Sequence, residues 1–192
     1  MPAIDALKPR DCLPADWPDD QMRALLMRPL FDGESLGRCR FHHRRVSEYL
    51  AARWIATRIR EGCPIPVLLD LLAEQVRRRT VLRPALQAVA AWLCIGGERW
   101  NQAVQRLVLE TSPEIHLRYG DPGSLTIDYK RTVLKALVRK TTGRRGWMES
   151  EDGCLMRMAS PELASDIADL VRDKTVRCSV RSTRLRSISL TM

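Results

Sequence analysis

Two adjacent histidines, His42 and His43, are the densest group of chemistry-bearing side chains in this sequence, with Arg38, Arg40, Arg44 and Arg45 around them and Glu48 following. Apolar residues recur from Val46 onward at helical spacing, so the pair stands at the mouth of a predicted helix. A helix N-terminus offers free backbone N–H groups and a partial positive charge, and with imidazole and guanidinium donors added it makes a phosphate-facing surface. A His43–Glu48 acid–base couple is poorly placed, because the two are five residues apart, whereas facing neighbours on a helix are three or four apart. His116, isolated beside Leu117 and Tyr119, reads as structural.

No other constellation in the sequence fits a known chemistry. The cysteines at positions 12, 39, 63, 94, 154 and 178 include no Cys-x-x-Cys pair. Histidine comes near metal-ligand spacing only around Cys39, so no metal site is expected and the thiols read as reduced. Cys94 falls in an apolar helical pattern and reads as core. No nucleophile triad or acid pair is visible, which points away from an enzyme. The Gly-x-x-x-x-Gly-Lys-[Ser/Thr] loop that cradles nucleotide phosphates is absent too, and Gly120-Asp121-Pro122-Gly123 is no substitute, lacking the lysine and the hydroxyl.

The elements that must carry the histidines read as helices. Aromatics are only 5% of the 192 residues yet include 5 Trp, which favours helix packing over sheet. Residues 1–18, with Pro2, Pro9, Pro14 and Pro18, read as an extended lead-in to a short helix over Gln21–Met27 that Asp19 and Asp20 would cap. Phe31-Asp32-Gly33 reads as a turn and Gly37–Phe41 as a short strand or an extended segment. The strongest helix runs from Arg44 to Arg60, with Val46, Leu50 and Trp54 on one stripe, Ala51, Ile55 and Ile59 on the next, and Gly62 as its stop. Further helices are expected from Pro66 through Val76, with Arg77–Arg79 at its cationic end, and then over Ala85–Ile95, Glu98–Glu110, Ile127–Lys140 and Glu162–Asp173. Ala85–Ile95 is apolar almost all round and should be central. Gly143–Gly153 reads as a polar, basic loop.

The fold class expected is therefore all-α: stacked helical hairpins in the manner of armadillo or HEAT solenoids, resting on helix rhythm since no fixed repeat is visible. The expected divisions are residues 1–62, 63–174 as the helical domain, and a basic disordered tail over 175–192. That tail contains Arg177, Arg181, Arg184 and Arg186 and no acid, in a chain of formal charge +9. An alternative function follows, a basic helical protein that binds nucleic acid through those arginines. No run approaches the roughly 20 apolar residues of a membrane span. The lead-in lacks the apolar core of a secretion signal, so a cytoplasmic location and no membrane partner are expected.

The segment Arg38 to Ala52 resembles the end of the ATPase module of NACHT-type STAND signalling proteins, where a winged-helix region carries Phe-x-His followed by Glu-[Phe/Tyr]-x-Ala-Ala. Phe41, His43, Glu48, Tyr49, Ala51 and Ala52 fit that spacing. Leu30-Phe31-Asp32 and Gly37-Arg38 upstream are similar to bacterial members, as are Ala90-Ala91-Trp92-Leu93 and Gly120-Asp121-Pro122 downstream. The likeness spans about residues 17–170 and is specific over Phe31–Ala52. It implies that residues 1–62 are a small winged-helix-like remnant and that His43 descends from a contact to the β-phosphate of bound ADP. It also implies a non-catalytic regulatory or sensor fragment cut off from its ATPase core, with antiphage defence as the biology. The expected partner is a protein, an NTPase domain among the candidates, and ATP or ADP would be a cofactor only if a separate NTPase domain completed the site.

Overall fold

The computed structural model describes residues 7–34, 38–141 and 156–172. Two compact units, Met1–Leu50 and Ala51–Met192, divide inside the longest helix. The loop expected at Gly143–Gly153 and the tail expected over 175–192 lie outside the described residues. The described chain is mostly helical, with two small antiparallel sheets of two strands each.

In the first unit prolines set the helix starts. Pro9 opens a single turn, α1 (Pro9–Cys12), and Pro18 is the N-cap of α2 (Asp19–Leu26). Asp19 and Asp20 therefore do not cap. They lie in the first turn, where carboxylates face the partial positive charge of the helix end. The strands β1 (Phe31–Glu34) and β2 (Arg38–Phe41) pair with Phe31 opposite Phe41 and Gly33 opposite Cys39. Phe31-Asp32-Gly33 is thus strand and not the turn its composition predicts. The reason is cross-strand packing, since the Phe31 and Phe41 rings lie 5.0 Å apart. Leu7 adds a backbone bridge, exchanging two hydrogen bonds of 2.8 Å with Cys39.

Helix α3 runs over Arg44–Arg60, as the periodicity predicts, and ends where Gly62 takes a φ of +105°. Its second half buries Ala52, Ile55 and Ala56, while Leu50 and Trp54 on the neighbouring stripe are exposed. Helix α4 (Ile65–Leu72) is shorter than expected: the backbone turns extended at Ala73, and β3 (Ala73–Val76) pairs with β4 (Arg79–Leu82). Arg77–Arg79 are therefore not the end of a helix. Ala73 and Leu82, directly opposite each other, are both buried, so the pairing satisfies a core demand that further helical turns would not meet. Between the strands Arg77 and Arg78 take φ values of +47° and +65°.

A 3₁₀ turn at Pro84–Leu86 leads into α5 (Gln87–Leu93), followed by α6 (Arg99–Thr111), the short α7 (Ile115–Arg118), α8 (Ile127–Thr141) and α9 (Ala164–Arg172). Helix α5 is the centre of the second unit's core, as its all-round apolar character predicts, with Ala88 to Ala91 and Leu93 buried. Val104 and Val108 of α6, Ile115 and Leu117 of α7 and Val133 and Leu137 of α8 complete that core.

The α5–α6 junction is closed by side chains. Asn101, buried in α6, donates from Nδ2 to the carbonyls of Leu93 and Ile95 at 2.8 and 3.1 Å, and its Oδ1 accepts from Glu98 N–H at 3.0 Å. Gln105 Nε2 donates to the Cys94 carbonyl at 2.7 Å. These bonds satisfy carbonyls that the end of α5 leaves without helical partners. Gly96 makes the approach possible: at its φ of +127° a Cβ would stand 2.8 Å from Asn101 Oδ1.

Candidate functional site

The histidine pair follows directly from β2. Phe41 is packed on Phe31, and His42 N–H donates to the Leu30 carbonyl at 2.8 Å, which fixes the backbone just ahead of the helix. His42 Nδ1 lies 2.8 Å from Asp32 Oδ1 on the opposing strand, and Arg40 Nε is 3.7 Å from the other oxygen of that carboxylate. His42 is thus held by an acid that the spacing of the motif does not reveal, because the partner comes from β1 through strand register.

His43 stands exposed immediately before α3, and its carbonyl accepts the bond from Val46 N–H at 2.9 Å. Its ring meets that of His42 edge-on at 4.5 Å. Arg44 and Arg45, both exposed, open the helix. Glu48 turns to Arg44, whose Nε donates to it at 2.9 Å, so the carboxylate is engaged one helical turn back and not with His43. Tyr49 is at the surface, Ala51 is exposed and Ala52 is buried at 4% exposure. Side by side, then, stand an anchored imidazole, a solvent-facing imidazole and the first-turn N–H groups of a 17-residue helix. Such a group can donate to an anion's oxygens.

Among the described residues no group of three or more His, Cys, Asp or Glu is placed to hold a metal ion, and no helix is long and apolar enough to cross a membrane. Cys12, Cys39, Cys63 and Cys94 are free thiols. Cys94 is fully buried, which pushes its thiol up to about 12. His116 is buried as well, with Nε2 3.0 Å from the Tyr129 hydroxyl. Lys130 is buried with Nζ donating to the Gly123 carbonyl at 2.9 Å, and Arg157 Nη2 donates to the Gly120 carbonyl at 2.8 Å. The Gly120–Gly123 turn is therefore tied down by cations from two elements.

Sequence reasoning misses two features of the second unit. One is the Arg77-Arg78 hairpin, whose turn lacks the Asn-Gly signal that would announce it. The other is an open groove of about 660 Å³ lined by Leu69, Asp70, Glu74, Arg83, Arg106 and Glu110 among others. It mixes charges of both signs, and its Glu74 is already paired to Arg83 at 3.2 Å. The arginines at 177, 181, 184 and 186, proposed as nucleic-acid contacts, lie outside the described residues. Compared with known proteins, the chain matches no family model, no curated protein and no solved structure.

Proposed function

We propose that the chain is a non-catalytic regulatory module that works with a NACHT-type STAND ATPase supplied separately. The reading rests on one observation above others: His43 stands exposed at the start of an unbroken helix whose second half, at Ala52, Ile55 and Ala56, lies in the core. A phosphate contact made at the first turn of α3 would fall on the helix whose later residues belong to the helical unit. In this reading residues 1–62 are the winged-helix remnant, and the helices from α4 onward are the beginning of a stacked sensor arm. Antiphage defence is the biology that the resemblance implies.

His43 does not hold a nucleotide alone. A hydrogen bond to a charged group contributes about 1.5–3 kcal/mol, whereas micromolar affinity requires about 8 kcal/mol. The rest of the pocket must therefore come from the partner, and the isolated chain should show no measurable ADP binding by calorimetry. The test is co-purification of the full chain with a P-loop ATPase from the same source, with and without ADP. The expected result is a complex that retains ADP, with retention falling at least about tenfold in His43→Ala, the factor set by losing one charged hydrogen bond. If no ATPase associates, or if His43→Ala leaves ADP retention unchanged, the reading is wrong.

A further inference from the structure

The sharpest unexplained feature outside the histidine site is the tip of the β3–β4 hairpin. Val76 pairs with Arg79, so Arg77 and Arg78 form a two-residue loop. Both have positive φ, the sign of the turn that best fits the twist of a hairpin. Asn-Gly or Asp-Gly fills such a loop at low cost, whereas an arginine strains its backbone in that region. Here two arginines occupy both positions and a third follows at once.

Among the described residues nothing offsets that strain. Among the described residues the side chains of Arg77, Arg78 and Arg79 have no hydrogen-bond or ion-pair partner, and all three are exposed. Glu74 is the hairpin's acid, and it is taken by Arg83 at 3.2 Å. It lies three residues from Arg77, roughly 10 Å along a strand, which is beyond the Debye length of about 8 Å at physiological salt. The tip thus projects three exposed guanidinium groups at the end of a short two-stranded arm.

We propose that this tip is a contact for the phosphodiester backbone of a nucleic acid. Guanidinium binds phosphate through two parallel N–H donors, and a polynucleotide offers a phosphate at every residue, matching three consecutive arginines. An acidic protein surface seldom holds carboxylates at that density. The chain's formal charge of +9 favours encounter with a polyanion. No aromatic ring accompanies the arginines within 73–82, so the contact positions a backbone and reads no base. These arginines are separate in sequence from His43 and from residues 175–192, and the proposal stands or falls separately from the ATPase partnership.

The turn supplies a test in which folding and binding move in opposite directions. Replacing the loop by Arg77→Asn with Arg78→Gly installs the residues the turn prefers, so the melting temperature should hold or rise. Binding of fluorescein-labelled duplex DNA and single-stranded RNA by the full chain, followed by anisotropy over a potassium chloride titration, reports the contact. The double variant combined with Arg79→Gln should weaken binding about tenfold or more, and the slope of log K against log salt should shrink by about 2 to 3. The triple lysine variant should keep most of that slope. Loss on DNA alone or on RNA alone tells which polymer the tip engages, and either supports the proposal. It is overturned if wild type binds neither polymer, if affinity and slope survive loss of the arginines, or if poly-glutamate is bound more tightly than both nucleic acids.

Discussion

The Tyr129 hydroxyl sits at the meeting point of three groups, 3.0 Å from His116 Nε2, 3.3 Å from the Gln105 carbonyl and 3.6 Å from Cys94 Sγ. The His116 and Tyr129 rings stand perpendicular with centroids 5.4 Å apart. Cys94 caps the end of α5, while Gln105, His116 and Tyr129 belong to α6, α7 and α8, so the network ties the end of α5 to three helices. Burial drives the His116 imidazole down to about 4 and the phenol of Tyr129 up, so both are neutral over the physiological range. The arrangement locks a core and offers no open face for chemistry.

Stability should therefore fall with acid well above the carboxylate range. His116 titrates near 6.5 when unfolded and near 4 when folded, so the unfolded chain binds the extra proton between those values. The contribution is complete above about pH 6.5 and is lost as pH falls toward 4. From pH 7.5 to 5 the loss should be about 2 kcal/mol. Urea unfolding at a series of pH values measures it. His116→Asn should start less stable but be flatter over that interval, and an equal slope in both proteins would contradict the assignment.

Asn101 should be the most sensitive polar residue of the core. Asn101→Ala leaves the Leu93 and Ile95 carbonyls and the Glu98 N–H without their partner. Unsatisfied buried groups cost about 1–3 kcal/mol each, so a loss of about 2–4 kcal/mol is expected. Asn101→Asp keeps the shape but replaces the donor with charge facing two carbonyls, and it should be worse at pH 7 than at pH 4. Denaturant midpoints of the two variants at both pH values decide the matter.

Two glycines separate backbone strain from mere small size. Gly120 has a φ of +70°, and a Cβ there would stand 3.2 Å from the Ala91 carbonyl carbon and its Cβ. Gly120→Ala should cost about 1–3 kcal/mol, combining left-handed strain with a contact against an immobile backbone. Gly97 has an ordinary φ and open space around it. Gly97→Ala should be neutral or stabilising by up to about 1 kcal/mol. Thermal melts of the pair provide the comparison.

The sequence makes α3, α5, α6 and α8 legible because their apolar periodicity and their Pro and Gly boundaries agree. It conceals β3–β4, where Leu68, Leu69, Leu71 and Leu72 carry a helical rhythm straight into Ala73 and only tertiary pairing with Leu82 ends it. It conceals Phe31–Glu34 for the same reason, since Phe41 ten residues on decides that segment. At the candidate site the position of His43 before a helix is readable from local pattern. The His42–Asp32 link is not, because register across a sheet is a non-local quantity.

The same limit applies within α3, where two apolar stripes compete and the pattern alone cannot rank them. Trp54 is the larger residue, yet it is 65% exposed, while Ile55 is 8% exposed among Ala52, Ala56 and the core of the second unit. Small alanines bring the helix backbone close to its neighbours, and a tryptophan on that face would hold it away. Ile55→Ala should therefore cost about 2–4 kcal/mol through lost contacts and a residual cavity. Trp54→Gln should change stability by no more than about 0.5 kcal/mol, as for surface substitutions generally. Denaturant unfolding of both variants tests the orientation of the helix. If Trp54→Gln were the more damaging, the buried face of α3 would have to be reassigned.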